Sequence, residues 1–126
     1  MSHQSIYEVT ERMSLQGITD AVKELNGTVE ISRCFIGYSG PVGGCTHRIH
    51  IPGMKYDIGI TVDKDGIVTS MSTDWWGGYV AKIVGRDYGI LKREYAIAVT
   101  TAELKRKGMQ FKRINNNGKH QIEVYT

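Results

Sequence analysis

Cysteine is scarce: two residues in 126, Cys34 and Cys45. That excludes a disulfide framework and the small secreted scaffolds built on one. Both thiols are expected free and partly buried. Long hydrophobic runs are lacking too, which excludes a membrane helix. The opening MSHQSIYEVTERM has neither the basic start nor the apolar block of a signal peptide. A soluble, cytoplasmic protein with no membrane partner is expected, in a host cytoplasm if the source is viral. Low-complexity tracts, repeats and linkers are absent, so residues 1–126 read as one domain. Strong net charge is missing as well. A balance of +3 falls short of a dedicated DNA-binding domain.

What charge there is lies unevenly. Residues 1–63 hold five Lys/Arg against seven Asp/Glu, and residues 64–126 hold eleven against six. The second half is therefore the anion-facing half. Hydrophobic residues at 40% supply an ordinary globular core.

Periodicity sets the element order. IYEV near the start alternates as a short strand. MSLQGITDAVKELNG places Leu15, Ile18, Val22 and Leu25 on one helical face, with Ser14 as N-cap and Gly27 beyond the end. TVEISRCFIGY is a β-branched and aromatic strand, followed by the irregular glycine loop SGPVGG. HRIHI, YDIGITV and IVTSMST are strands, the last two joined by the turn DKDG. A long helical region follows, broken at Gly85 or Gly89. Its stripe of Leu91, Tyr95, Ala98 and Ala102 is expected to pack on the sheet. MQFKRI, NNNG and KHQIEVY close the chain as a hairpin. The order β-α-β-β-β-β-α-β-β predicts an α+β fold: a largely antiparallel sheet with two main helices on one face.

MSH at the start, YDIG at 56–59, DWWG at 74–77 and the helix YAIAVTTAELKRKG before a final hairpin together resemble one family. It is the uncharacterised cyanobacterial, plastid and phage family called hypothetical chloroplast open reading frame 35, or domain of unknown function 1257. The resemblance spans nearly the whole chain. It implies a single domain and points to the DWWG corner; it implies no activity, because that family has none assigned.

Trp75 and Trp76, the only tryptophans, stand between Asp74 and Gly77-Gly78. In an extended segment adjacent side chains point opposite ways. One ring is then expected in the core and the other beside Gly77, where a base or other flat ligand stacks. The bland alternative is that both simply pack at a strand end. Asp74 either caps the next helix or holds a polar ligand group. The amides of Gly40, Gly43 and Gly44, with Arg48 downstream, offer an anion cradle, or else form a mobile connection. Their spacing matches neither the Walker pattern nor GxGxxG. Lys105, Arg106, Lys107, Lys112 and Arg113 make the densest positive patch, read as phosphate contacts or as a solvated helix end.

Cys45, His47 and His50 invite a metal. On a strand, however, Cys45 and His47 share one face, His50 takes the other, and closure would need His3 or His120. No metal is expected. DKDGIVTSMS opens like a calcium loop but lacks the closing glutamate. No HExxH or marked catalytic triad is present, and no cofactor is expected. The residues favour a non-enzymatic binding module for an anionic nucleotide-like or nucleic-acid ligand. Its pocket would join the glycine loop to the tryptophans, with cations of the second half nearby. The alternative is an accessory protein acting through a protein partner or through self-association, with the tryptophans as anchors. A small enzyme is third.

Overall fold

Alternation along the central strands builds the core. In the computed structural model, which describes the backbone of residues 4–8 and all of residues 12–125, Ile49, Ile58, Ile60, Val68 and Met71 are fully buried. They meet Ile18, Ala21 and Val22 from one helix and Val80, Val84, Tyr88 and Leu91 from the helical region. Each such aliphatic side chain contributes about 1.5–3 kcal/mol by leaving water.

In chain order the elements are β1 (Gln4–Glu8), α1 (Leu15–Glu24), β2 (Thr28–Ile31), β3 (Cys34–Gly37), β4 (Gly40–Gly43), β5 (His47–His50), β6 (Ile58–Val62) and β7 (Val68–Asp74). There follow a short helical turn (Trp76–Gly78), α2 (Ala81–Val84), α3 (Gly89–Arg106), β8 (Gln110–Asn116) and β9 (Lys119–Tyr125). The main sheet is antiparallel, in the order β1-β7-β6-β5-β2, while β3–β4 and β8–β9 form separate pairs. The fold is α+β. Val9, expected at the end of the first strand, lies outside the described residues.

Ser14 caps α1, accepting from the Gly17 amide at 3.0 Å. At the other end Asn26 (φ 64°) takes the left-handed position. Gly27 serves close approach instead: a Cβ there would stand 2.6 Å from the His50 carbonyl oxygen.

The segment expected as one strand, TVEISRCFIGY, is two. The Ser32 hydroxyl donates to the Cys34 carbonyl at 2.6 Å, and the chain leaves the main sheet there. β2 pairs with β5, whereas β3 pairs with β4 in register from Cys34↔Gly43 to Gly37↔Gly40. The glycine loop is thus corrected to half of a hairpin, with Pro41 tolerated because β4 is an edge strand. Phe35 is buried over Gly59, where a Cβ would come within 2.3 Å of its ring. Gly59 alternates with Ile58 and Ile60, so the hairpin covers the face opposite the helices.

The helical region breaks at Gly85 (φ 81°), and Asp87 and Tyr88 follow in left-handed conformation. The α3 stripe departs from expectation. Leu91 is buried, Tyr95 and Ala98 are half-buried, and Ala102 is exposed. Beyond Leu91, α3 lies against α1, α2 and β8 rather than the sheet, because α1 with Val80, Val84, Tyr88 and Leu91 already fills the core. Tyr95 packs where Gly17 has no Cβ, and its hydroxyl accepts from the Ser14 amide at 2.9 Å. The closing hairpin turns on Asn117 and Gly118, both at positive φ, as the Asn-Gly pair requires.

Candidate functional site

β7 ends at Asp74, and the next residues form a corner rather than an extended strand. The Asp74 side chain is fully buried. One carboxylate oxygen accepts from the Trp76 amide at 3.0 Å. The other accepts from the Tyr38 amide at 3.0 Å, across 36 residues of sequence. Asp74 therefore ties the tip of the β3–β4 hairpin to the corner. Gly77 (φ 76°) and Gly78 (φ 71°) turn the chain in a way that other residues resist. Gly77 has a second reason: a Cβ would lie 2.4 Å from the Tyr79 ring.

The two tryptophan rings diverge, but through the turn and not through strand alternation. Both are half-buried. Trp75 packs against the core and meets the buried Tyr88 ring edge-on at 4.9 Å. Trp76 stands between Tyr38, at 5.3 Å, and Tyr79, at 6.1 Å. Tyr56 lies beneath, edge-on to Tyr38 at 6.5 Å and to Tyr79 at 6.0 Å. It is buried, and its hydroxyl has no hydrogen-bond partner among the described residues. Burial, and then the Asp74 charge, push this phenol above its ordinary pKa, so it is a neutral donor. Two ammonium groups flank the cluster: Lys55 Nζ is 4.8 Å from the Tyr79 ring centre and Lys82 Nζ is 5.8 Å from it. Both lysines are exposed. Such cation–π contacts are worth about 0.5–1 kcal/mol in water, little enough that an anion can draw the lysines away.

Tyr38, Tyr56, Tyr79, Lys55 and Lys82 escaped sequence reading. A signal existed in the tyrosine at Gly37-Tyr38-Ser39 and in Tyr79 directly after the glycines. Only the pairing of the hairpin tip with Asp74 makes them neighbours.

Of the residues singled out from sequence, Asp74, Trp75, Trp76 and Gly77 form the corner. Gly40 opens β4 beside the hairpin tip. Gly43 and Gly44 lie at the far end of β4, where Gly43 pairs with Cys34. Arg48 sits on β5, bonded to Glu30 at 2.7 Å and near buried Asp57 at 3.9 Å. The basic patch is not brought to the corner. Lys105, Arg106 and Lys107 end α3, and Lys112 and Arg113 lie on β8. Arg113 makes a two-pronged contact with buried Glu94, each bond 2.8 Å. Arg106 engages exposed Glu103. Residues of this region line a groove of about 460 Å³ between α1, α3 and β8, with Ile97, Ala98 and Phe111 among its apolar walls.

The sequence's metal candidates have separate partners. Cys45 Sγ donates to the Ser32 carbonyl at 3.3 Å, His47 meets the Thr46 hydroxyl, and His120 accepts from Arg113. His3 lies outside the described residues. His50 is oriented by buried Asp57 at 2.9 Å, as an acid–base pair would be. Among the described residues, no hydroxyl or thiol hydrogen-bonds to it. In DKDG, Asp63 accepts from the Asp65 and Ile67 amides, which is ordinary turn chemistry. No helix of the described residues is long and apolar enough to cross a membrane. Comparison with known proteins yields no matching family model, no matching curated protein and no matching solved structure.

Proposed function

We propose that this chain is a non-enzymatic binding module and that it takes an anionic, nucleotide-like or nucleic-acid ligand at the aromatic corner. One observation carries the reading: half-exposed Trp76 and Tyr79 and exposed Tyr38 adjoin one another, with Lys55 and Lys82 at the edge. Aromatic faces accept bases by stacking, worth about 1–3 kcal/mol per base. Ammonium groups beside them supply phosphate contacts and a salt-dependent affinity. The resemblance carried by YDIG and DWWG belongs to the same proposal, since both motifs flank this corner. The cations of α3 and β8 are left out of the ligand contacts, because Arg106 and Arg113 are engaged by carboxylates.

The test is a titration with adenosine and thymidine nucleotides and with short oligonucleotides, at low and high salt. Trp76→Leu should weaken binding by about tenfold or more, one lost stack, without unfolding the chain. Lys105→Ala with Lys107→Ala should change little. Binding that ignores Trp76 and weakens with the α3 pair would overturn the reading. A second reading, an accessory protein acting through a protein contact, is supported by the groove beside Ile97, Ala98 and Phe111. It predicts a partner whose binding is insensitive to salt.

A further inference from the structure

We infer that the aromatic corner takes a single strand of nucleic acid laid across it, with bases splayed one per ring, rather than a free mononucleotide or a duplex. This rests on the nucleotide-binding reading above and adds the form of the ligand.

Spacing argues it first. The Tyr38 and Trp76 ring centres are 5.3 Å apart and inclined by 55°, and those of Trp76 and Tyr79 are 6.1 Å apart and inclined by 39°. Successive bases along one strand of a duplex rise about 3.4 Å and stay parallel. Bases set against these rings are farther apart and tilted from one another, so they cannot remain stacked or paired. Unpaired bases splayed onto aromatic side chains have this arrangement.

Shape argues it second. A free nucleotide gains affinity by being enclosed in a concavity. The corner is open to solvent: Tyr38 is 48% exposed, and Gly77 and Gly78 are exposed beside it. The two grooves that run along α1 and α3 include none of its residues. An open surface offers contact area to a strand that crosses it and little enclosure to a small molecule.

The third observation is the buried Tyr56 hydroxyl under the rings, left without a partner. Native clusters rarely leave such a group unmet. The edge of a base set beside Tyr38 or Tyr79, the two rings that Tyr56 meets edge-on, supplies what is missing. Lys55 and Lys82, both reaching the Tyr79 ring, place positive charge where the backbone of that strand leaves the rings.

The experiment measures affinity by fluorescence anisotropy with a labelled twelve-residue oligothymidylate. Thymidine monophosphate, the three- and six-residue oligomers and a twelve-base-pair duplex compete for the site. We expect affinity to rise at least tenfold from the monophosphate to the six-residue strand, and the duplex to compete at least tenfold more weakly than the single strand. Lys55→Ala with Lys82→Ala, checked for native circular dichroism, should flatten the dependence of log affinity on log salt by about 1.4. That is about 0.7 for each phosphate released from a single strand. Equal affinity for the monophosphate and the six-residue strand, or for duplex and single strand, overturns the inference and leaves nucleotide binding standing. Failure of every one of these ligands at low salt, or binding that survives both the lysine pair and Trp76→Leu, overturns the inference and the underlying reading together.

Discussion

The aromatic corner and the C-terminal arm, formed by the end of α3 with the β8–β9 hairpin, are built on opposite principles. The corner is anchored from within. Buried Asp74 fixes two amides, and Trp75 and Tyr79 rest on the core. The exposed rings therefore stand on a rigid base. The arm is anchored from one side. Glu94 and Arg113 hold it to α3, while Met109, Val124 and Tyr125 are 36–41% exposed. A lone two-stranded hairpin is marginal in water, so that ion pair bears much of the arm's order. Rich cationic character led to the expectation that the arm's cations stand near the tryptophan pocket as phosphate contacts. Arg106 and Lys107 instead face Glu103 and Arg113 faces Glu94, and the less charged corner keeps two lysines beside exposed rings.

The largest effect should come from the corner's anchor. Asp74→Ala leaves the Tyr38 and Trp76 amides without their acceptor. It should cost about 2–4 kcal/mol, from two partly buried donors at about 1–2 kcal/mol each that lose a charged partner. Chemical denaturation measures it. A loss below about 1 kcal/mol would mean that the corner is no better anchored than the arm.

Next comes the arm's own tie. Glu94 is 5% exposed, and Glu94→Gln removes the charge that Arg113 and Arg93 answer. About 2 kcal/mol is expected, below the usual figure for breaking a buried pair because Arg113 is partly solvated. Amide exchange in residues 110–125 should speed up by roughly thirtyfold, with the central sheet unmoved. Uniform acceleration would show that arm and core open as one unit.

Acid should separate the regions more gently. Burial alone would raise the Glu94 carboxyl, but Arg113 and Arg93 outweigh it and hold it below its ordinary value of 4.5. A lowered acid contributes stability that is complete above its unfolded pKa and lost as pH falls through the folded one. His120 acts in the same direction. Burial, then Arg93 and Arg113, keep its pKa below the ordinary 6.5, so the fold resists a proton that the unfolded chain accepts. Stability of the arm should be full above pH 6.5, begin to decline below it through His120, and decline further below 4.5 through Glu94. Nuclear magnetic resonance of the hairpin amides against those of β6 follows it. Hairpin shifts that hold steady to lower pH than the β6 shifts would reverse the comparison.

The smallest effect sharpens the boundary between core and arm. Read as part of a stripe on the sheet, Ala98→Asp would bury an unpaired charge at a cost of several kcal/mol. Ala98 is instead half-buried beside an open groove that Lys23 and Lys105 also line. The expected cost is under about 1 kcal/mol, that of an ordinary surface change. An unfolding midpoint lowered by several kcal/mol would place α3 deeper than described.

Local chemistry decided much of this fold. Period-two patterning around Ile58 and Ile60, the Ser14 cap, the Asn117-Gly118 turn and the helical break at Gly85 are all legible one segment at a time. Each depends on interactions within a few residues. The bend at DWWGG overturns the extended reading of that segment: Gly77 and Gly78 both take positive φ, a conformation that other residues resist. What the segments could not reveal was who stands beside whom. That TVEISRCFIGY splits between two sheets follows from Phe35 filling the space above Gly59, a contact 24 residues away. That α3 lies on α1 follows from the core being already full. Tyr38 joins Trp76 because the carboxylate of Asp74 reaches a backbone amide 36 residues earlier, and Arg113 of β8 turns inward because buried Glu94 meets it with both oxygens. Sequence fixes local conformation through short-range sterics and hydrogen bonding. The candidate site is a set of long-range neighbours, and competition for the core decides those only when the whole chain has packed.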